Sequence, residues 1–438
     1  MNESKISHVV EELKLFIENG KKVETYLKRK GSFSQDGKVS FSITILLLLN
    51  MLKRSLALEL NDFFSIVGEE KNFTKSAFSQ ARYKLKSVFF EDFNKELLDS
   101  YQKHYKKNLK SYKGYYLQGV DGTKIYLPNL EEIQDHFGCG GNHHSKIAMG
   151  QSLFRYDLLN ELVVRAHLTP LSLGENTTAL SELSQVDKNV ISIYDRCFPS
   201  VEFVYEHDRL GLKYLMRVKL GFNNVVKAFV ESEQEDAIVK FIINKRALNR
   251  MKERGIEPNQ DCIRVRLVRI KLQDGSTEVL MTNLMDQQEW KLEDFDLLYD
   301  LRWGVETFID RFKNKIKVEI FSGHKVEAIY QEFHSAVFML NFQTVLLKDC
   351  EEEIEQISLK RKHNYKPNRN VALGLMKHTI LMIFIENKEH SYQTICKLQQ
   401  KFIANLEPVR IGRSYKRKKK AQRKNGKYRT LTNYKSAI

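Results

Sequence analysis

The stretch Tyr299–Lys313, YDLRWGVETFIDRFK, gathers side chains that could act on a phosphate. Wound as an α-helix, it places Tyr299, Arg302, Glu306 and Lys313 in a stripe about 60° wide. Leu301, Val305, Phe308, Ile309, Phe312 and Ile316 fall on a separate arc, roughly 100° away, suited to a core. The stripe presents one carboxylate flanked by two cations and a phenol, a set that can hold a divalent metal beside a phosphate backbone. An ordinary solvated helix face is the competing reading.

Two more carboxylates stand at the ends of expected strands. Asp121 closes a strand over Tyr115–Val120 and sits in a Gly-containing turn, Asp121-Gly122-Thr123; Asp195 follows the short apolar run Val190–Tyr194. Acids from separate strand ends converge where an α/β sheet meets its helices. Asp121, Asp195 and Glu306 supply only oxygen, which suits Mg²⁺ or Mn²⁺ better than zinc. Two such ions about 4 Å apart activate an attacking oxygen and stabilise a leaving one in phosphoryl transfer. Either Asp alone is also an ordinary turn or cap residue, so the weight lies in the combination. His143 and His144, beside Gly140 and Gly141, lack a third ligand at useful spacing and stay outside this set. Trp303 is expected to pack at the helix edge and Trp290 to be buried.

The surrounding sequence supplies elements that could position these acids. Residues 1–110 read as helical, without a proline, and Ser76–Leu85 reads as a helix that turns Ser79, Gln80, Arg82 and Lys84 outward, a face that could read DNA or be plain scaffold. From Tyr115 the texture changes to strands at Lys124–Leu127, Ile147–Tyr156 and Leu162–Leu168, a helix over Thr177–Val186, and strands at Val190–Tyr194 and Leu212–Lys219. Strands followed by strand–helix alternation indicate a mixed α/β sheet. In Ile263–Leu272, IRVRLVRIKL, apolar residues alternate with Arg264, Arg266, Arg269 and Lys271, with a slip at Leu267–Val268 that would suit a bulge. Asp274-Gly275 then signals a hairpin into Thr277–Thr282. This segment reads as β-rich with a cationic outer surface, for which edge-strand protection is the alternative. Glu327–Leu347 and Val371–Glu386 return to long amphipathic helices.

Composition sets the class. The chain has 438 residues, 42% hydrophobic and 29% charged, with a net charge of +16. Eleven Lys and Arg and no acid fall in 413–438, with Tyr415 and Tyr428 among them, so this tail is a polyanion-binding arm or a solvated end. The five cysteines are scattered and form no C-x-x-C pair, which argues against a disulfide framework or structural zinc and fits a reducing compartment. The N-terminus has no signal-peptide layout, and the longest apolar run, Ile43–Leu52, is too short to span a bilayer. A cytoplasmic, nucleic-acid-binding protein with no membrane association is expected.

The spacing Tyr299-x2-Arg302-x3-Glu306-x6-Lys313 resembles the Y-R-E-K signature of DDE transposases from bacterial insertion sequences, specifically insertion-sequence family four. VDGTKI at Val120–Ile125 resembles that family's first-aspartate motif and ISIYDRCFPS at Ile191–Ser200 its second. LMTNL at Leu280–Leu284 resembles the strand that ends its insertion, and FSQAR at Phe78–Arg82 a common N-terminal segment. The resemblance implies an α/β (α+β) fold with an RNase H-like mixed-sheet core. It also implies metal-dependent cleavage of DNA at element ends, and strand transfer into target DNA, by Asp121, Asp195 and Glu306 holding two Mg²⁺ or Mn²⁺ ions. Tyr299, Arg302 and Lys313 would hold DNA phosphates, with a hairpin on the transposon end and a homodimer in the synaptic complex. Partners would be double-stranded DNA, as terminal inverted repeats and target. The expected parts are a helical DNA-binding domain (1–110), a first part of the catalytic core (111–220), a β-rich insertion (221–292), a second part of the core with the Glu helix (293–345), a helical C-terminal region (346–412) and the basic tail (413–438). A transposase-derived nuclease without strand transfer, or a catalytically vestigial DNA-binding regulator, are the alternatives.

Overall fold

The computed structural model describes residues 4–33, 39–68, 72–142, 145–271 and 275–410. His143, His144, Asp274 and the basic tail lie outside the described residues. Two compact units divide the chain: one joins residues 1–106 to 310–438, and the other is continuous over 107–309.

The described residues of the first unit are mainly helical, with one short antiparallel pair, Tyr365–Pro367 with Leu406–Pro408. Its leading helices are Lys5–Glu18, Gly20–Thr25, Phe41–Leu49, Leu56–Val67, Lys75–Arg82 and Val88–His104. Side-chain caps start three of them: Asn19 accepts from the Lys22 N–H, Ser40 from the Ile43 N–H and Thr74 from the Ala77 N–H. The long helix Val326–Lys348 is buried almost all round and packs on Val88–His104, with Phe338 stacked 4.4 Å from Phe93. Arg82 does not turn outward as the sequence suggests. It is 2% exposed, because its guanidinium is taken up by Glu332, Gln331, Ser322 and the Ala328 carbonyl. The helix expected over Val371–Glu386 is two helices, Arg369–Met376 and Thr379–Ile385, parted at His378 (φ +68°), whose N–H is held by Asn50 Oδ1 at 2.8 Å.

The second unit is built on one nine-stranded sheet. Its strands are β1 (Tyr116–Tyr126), β2 (Cys139–Asn142), β3 (Ser145–Asp157), β4 (Leu162–Pro170), β5 (Val190–Tyr194), β6 (Lys213–Val218), β7 (Asp236–Ile242), β8 (Cys262–Lys271) and β9 (Thr277–Thr282). β1, β3 and β4 form an antiparallel set, and β5 and β6 then run parallel to β1 on its other side. Helices Gly174–Ser181 and Val201–Leu210 make the crossovers before β5 and β6. This is an RNase H-like mixed α/β sheet. The β-rich segment continues the same sheet, since β9 pairs antiparallel with β6, β8 with β9, and β7 with β8.

Two readings of β8 change. No register shift occurs at Leu267–Val268; Val265–Val268 are buried without interruption, so the lost alternation reflects a strand covered on both faces. Nor is its cationic row an outer surface. Arg266 is 1% exposed and forks onto Asp236, while Arg269 caps a neighbouring helix by donating to the Phe229 and Val230 carbonyls. Arg264 and Lys271 do face solvent.

Candidate active site

β1 passes through Asp121 without a turn, contrary to the sequence reading. Asp121 pairs with Phe154, and Gly122 and Thr123 continue the ladder with β3. What ends here is the parallel pairing with β5, whose last registered pair is Val120 with Tyr194. Asp121 and Asp195 are the next residues on these neighbouring strands, at the carboxyl end of the parallel pair, where α/β sheets place their ligand sites.

Glu306 comes from the helix Trp303–Asp310. Val305 and Phe308 are the buried residues of that helix. Gly119 admits it: a Cβ there would stand 3.3 Å from Val305 and 3.0 Å from Leu158. Phe308 stacks on Tyr156 and meets Phe154 edge-on, with ring centres 5.2 and 5.1 Å apart. This packing sets the height of Glu306 above β1.

The single helix read over Tyr299–Lys313 is three pieces. Leu292–Leu301 ends, Arg302 forms a tight step in which the Arg302 and Val305 N–H groups each donate to a carbonyl three residues back, and Trp303–Asp310 follows. A π-helical turn, Arg311–Lys315, comes next. The step and the π turn change the angular spacing, so the stripe does not persist as one exposed face. Tyr299 and Arg302 are 7% and 3% exposed. Lys313 belongs to the helical unit and pairs with Glu319 at 3.4 Å.

Arg302 is the electrostatic centre of the site. Its Nη2 donates to Glu306 Oε1 at 2.8 Å, and its guanidinium lies 5.4 Å from the Tyr299 ring centre and 5.0 Å from that of Trp303. Burial disfavours its charge, but Tyr299, Glu306 and Asp195 more than compensate. Its Nε is buried with no hydrogen-bond partner among the described residues, an unsatisfied donor in the site. Tyr299 donates its hydroxyl to Asp195 Oδ1 at 3.4 Å. Trp303 is 50% exposed rather than packed away, so its indole offers an aromatic surface beside the guanidinium. Trp290 is buried as expected, against Tyr112 and Tyr115.

Asp121 is pushed up to about 6, by burial first and then by Glu175 and Glu306, against the opposing pull of the Gly122 N–H and Arg302. Two acids that sequence reasoning missed therefore belong here. Glu175, on the Gly174–Ser181 helix, accepts from Gln151 Nε2 at 2.8 Å and lies over Gly122, where a Cβ would stand 2.8 Å from it. Glu278, on β9, pairs with Arg217 at 2.8 Å and feels Arg302 and Asp195. Burial raises both. The glycine after Asp121 was the available signal for Glu175: it marks a close approach, not a turn. In place of one acid between two bases, the site holds one buried cation among several acids.

Such an oxygen-rich set fits a hard divalent ion. Among the described residues, no three His, Cys, Asp or Glu side chains stand together closely enough to hold one, with Glu306 drawn to Arg302.

The RNase H-like sheet thus carries Asp121 and Asp195 at the carboxyl end of its parallel strands. A family model described as the transposase DDE domain matches residues 113–342, and the chain belongs to that family. It is thus a transposase of the DDE type, an enzyme acting on DNA, and transposases of this kind use divalent metals. The piggyBac transposase, in its synaptic complex with hairpin DNA, is similar in structure with a TM-score of 0.39 and 10% sequence identity, over 92% of this chain and 79% of that one. No curated protein matches by sequence. Among the described residues, no helix is long and apolar enough to cross a membrane.

Proposed function

We propose that the chain cleaves DNA at the ends of an insertion sequence and joins the freed ends to target DNA, as the Y-R-E-K spacing of insertion-sequence family four implies. The observation that carries this reading is the placement of Asp121 and Asp195 just beyond the last registered pair of β1 and β5, with Glu306 packed over β1. Asp121, Asp195 and Glu306 would hold two Mg²⁺ or Mn²⁺ ions. Such ions, when bound, lower the pKa of an attacking water or 3′-hydroxyl and neutralise charge on the phosphate.

The chain's own side chains have definite work in this scheme. Arg302, with its unsatisfied buried Nε, binds a phosphate oxygen as its hold on Glu306 relaxes. Tyr299 orients Asp195 through its hydroxyl, and burial raises the phenol so that it remains a hydrogen-bond donor at neutral pH. Lys313 supplies a further phosphate contact, and the exposed indole of Trp303 offers a stacking surface to an unpaired base. The helical N-terminal region and the 413–438 tail bind duplex DNA, the tail through its charge, and a homodimer holds paired ends, with a hairpin on the transposon end as intermediate.

Purified protein incubated with Mg²⁺, duplexes carrying the element's inverted repeats and a target plasmid separates the possibilities. End cleavage with strand-transfer products supports the proposal. Cleavage without joining identifies a nuclease, and binding without cleavage a regulator; either result overturns it.

A further inference from the structure

The segment that follows the π-helical turn is fastened at both ends inside the helical unit. At its near end Lys313 pairs with Glu319 at 3.4 Å, and the Ile320 carbonyl accepts from Lys53 Nζ at 2.9 Å. At its far end one carboxylate gathers the chain. Glu332 accepts from the Ser322 N–H at 2.9 Å, the Ser322 hydroxyl at 2.7 Å, the Gly323 N–H at 2.9 Å and Arg82 Nη2 at 3.1 Å. Arg82 also donates to Ser322 Oγ at 3.0 Å, Gln331 Oε1 at 3.2 Å and the Ala328 carbonyl at 3.3 Å. Gln331 returns the contact by donating to the Arg82 and Leu85 carbonyls, each at 2.9 Å.

Arg82 and Glu332 have side chains only 3% and 6% exposed. A buried ion pair is a costly way to gain stability, because apolar residues of similar volume do as well or better. What the pair supplies is geometry: Arg82 holds Ser322 and orients Glu332, which holds Ser322 and Gly323, and so the short turn on which Glu319 stands. Lys317, within that turn, is held at φ +51°.

We infer that Arg82 is a positioning residue for Lys313, acting through Ser322, Glu332 and Glu319. The inference rests on the reading of Lys313 as a phosphate-binding residue. It gives the FSQAR segment a part in the reaction that needs no contact between Arg82 and DNA.

The test is a double-mutant cycle on full-length protein, read as single-turnover end cleavage with Mg²⁺ at saturating DNA. Arg82→Gln and Glu319→Gln should each slow cleavage at least about fivefold, and by less than about twofold once Lys313 is already Ala. Ser322→Ala removes a single hydroxyl and serves if Arg82→Gln fails to fold; it should show the same dependence on Lys313 with a smaller effect. Additive slowing in the double variants overturns the positioning role and leaves the Lys313 reading intact. Wild-type cleavage by Lys313→Ala overturns both. Unchanged rates in Arg82→Gln, or in Ser322→Ala where Arg82→Gln does not fold, overturn the positioning role alone.

Discussion

Arg266 and Arg302 are both nearly buried arginines in the sheet unit, and their surroundings differ in kind. Arg266 uses all three nitrogens. Nε and Nη2 fork onto Asp236 at 2.9 and 2.7 Å, Nη1 reaches the Leu284 carbonyl at 3.0 Å, and Nη2 also reaches that of Trp290 at 2.9 Å. One carboxylate and several carbonyls satisfy one cation, and the result is a brace. Arg302 has a bond to Glu306, a buried Nε with no partner among the described residues, and the field of Asp195 and Tyr299. A satisfied buried charge holds strands together. An unsatisfied one among several acids is poised for a ligand, because a ligand can complete it.

The largest expected break in this contrast comes from the acids themselves. Asp121→Asn, Asp195→Asn or Glu306→Gln should each slow end cleavage about 10³-fold or more, the scale of a lost metal contribution, with DNA affinity in gel-shift assays little changed. Next comes the brace. Arg266→Ala strands Asp236 and should cost about 3 kcal/mol or more in urea denaturation, whereas Arg302→Met should cost about 1 kcal/mol or less and yet slow cleavage strongly. Equal stability losses at the two arginines would erase the distinction.

A third effect concerns pH. Asp121 is raised to about 6 from an ordinary 3.8, so between those values the folded protein binds a proton that the unfolded chain releases. Stability from this group is therefore full below about pH 4 and falls as pH rises through about 6, by about 3 kcal/mol in all. Asp121→Asn should recover much of that at pH 7 while removing cleavage. Mg²⁺ should raise the unfolding midpoint of the wild type at pH 7 but not that of Asp121→Asn. The smallest effect is expected at Trp303, where Ala should weaken binding of DNA ends about fivefold by removing a stacking surface.

Local pattern made much of this fold legible. The short strand Val190–Tyr194 and its following Asp195, the β8–β9 hairpin and the helical N-terminal region all carry clear periodicity or turn chemistry. Features set by long-range packing did not. Asp121-Gly122-Thr123 looks like a turn because Asp and Gly favour turns, yet the glycine makes room for Glu175 in a continuous strand. Alternating arginines in β8 look solvent-facing until Asp236, the partner of Arg266, is brought alongside by β7. The Tyr299–Lys313 stripe assumed a uniform 100° per residue, and neither the step at Arg302 nor the π turn at Lys313 announces itself in residue type. Glu278 carries no local mark, and Glu175 is signalled only indirectly, by Gly122; the assembled sheet places them by Asp121 and Asp195.

Asp121, Asp195 and Glu306, from a strand, a strand end and a helix, are proposed to serve one cation site. Replacing Mg²⁺ with Fe²⁺ and adding ascorbate and peroxide generates hydroxyl radicals at the bound ion, which cut the nearby backbone. A shared cation site predicts three cuts in the protein, near residues 121, 195 and 306, all suppressed by excess Mg²⁺ and all lost together in Asp121→Asn. Cuts confined to other segments, or cuts at these three positions that persist in Asp121→Asn, would contradict it.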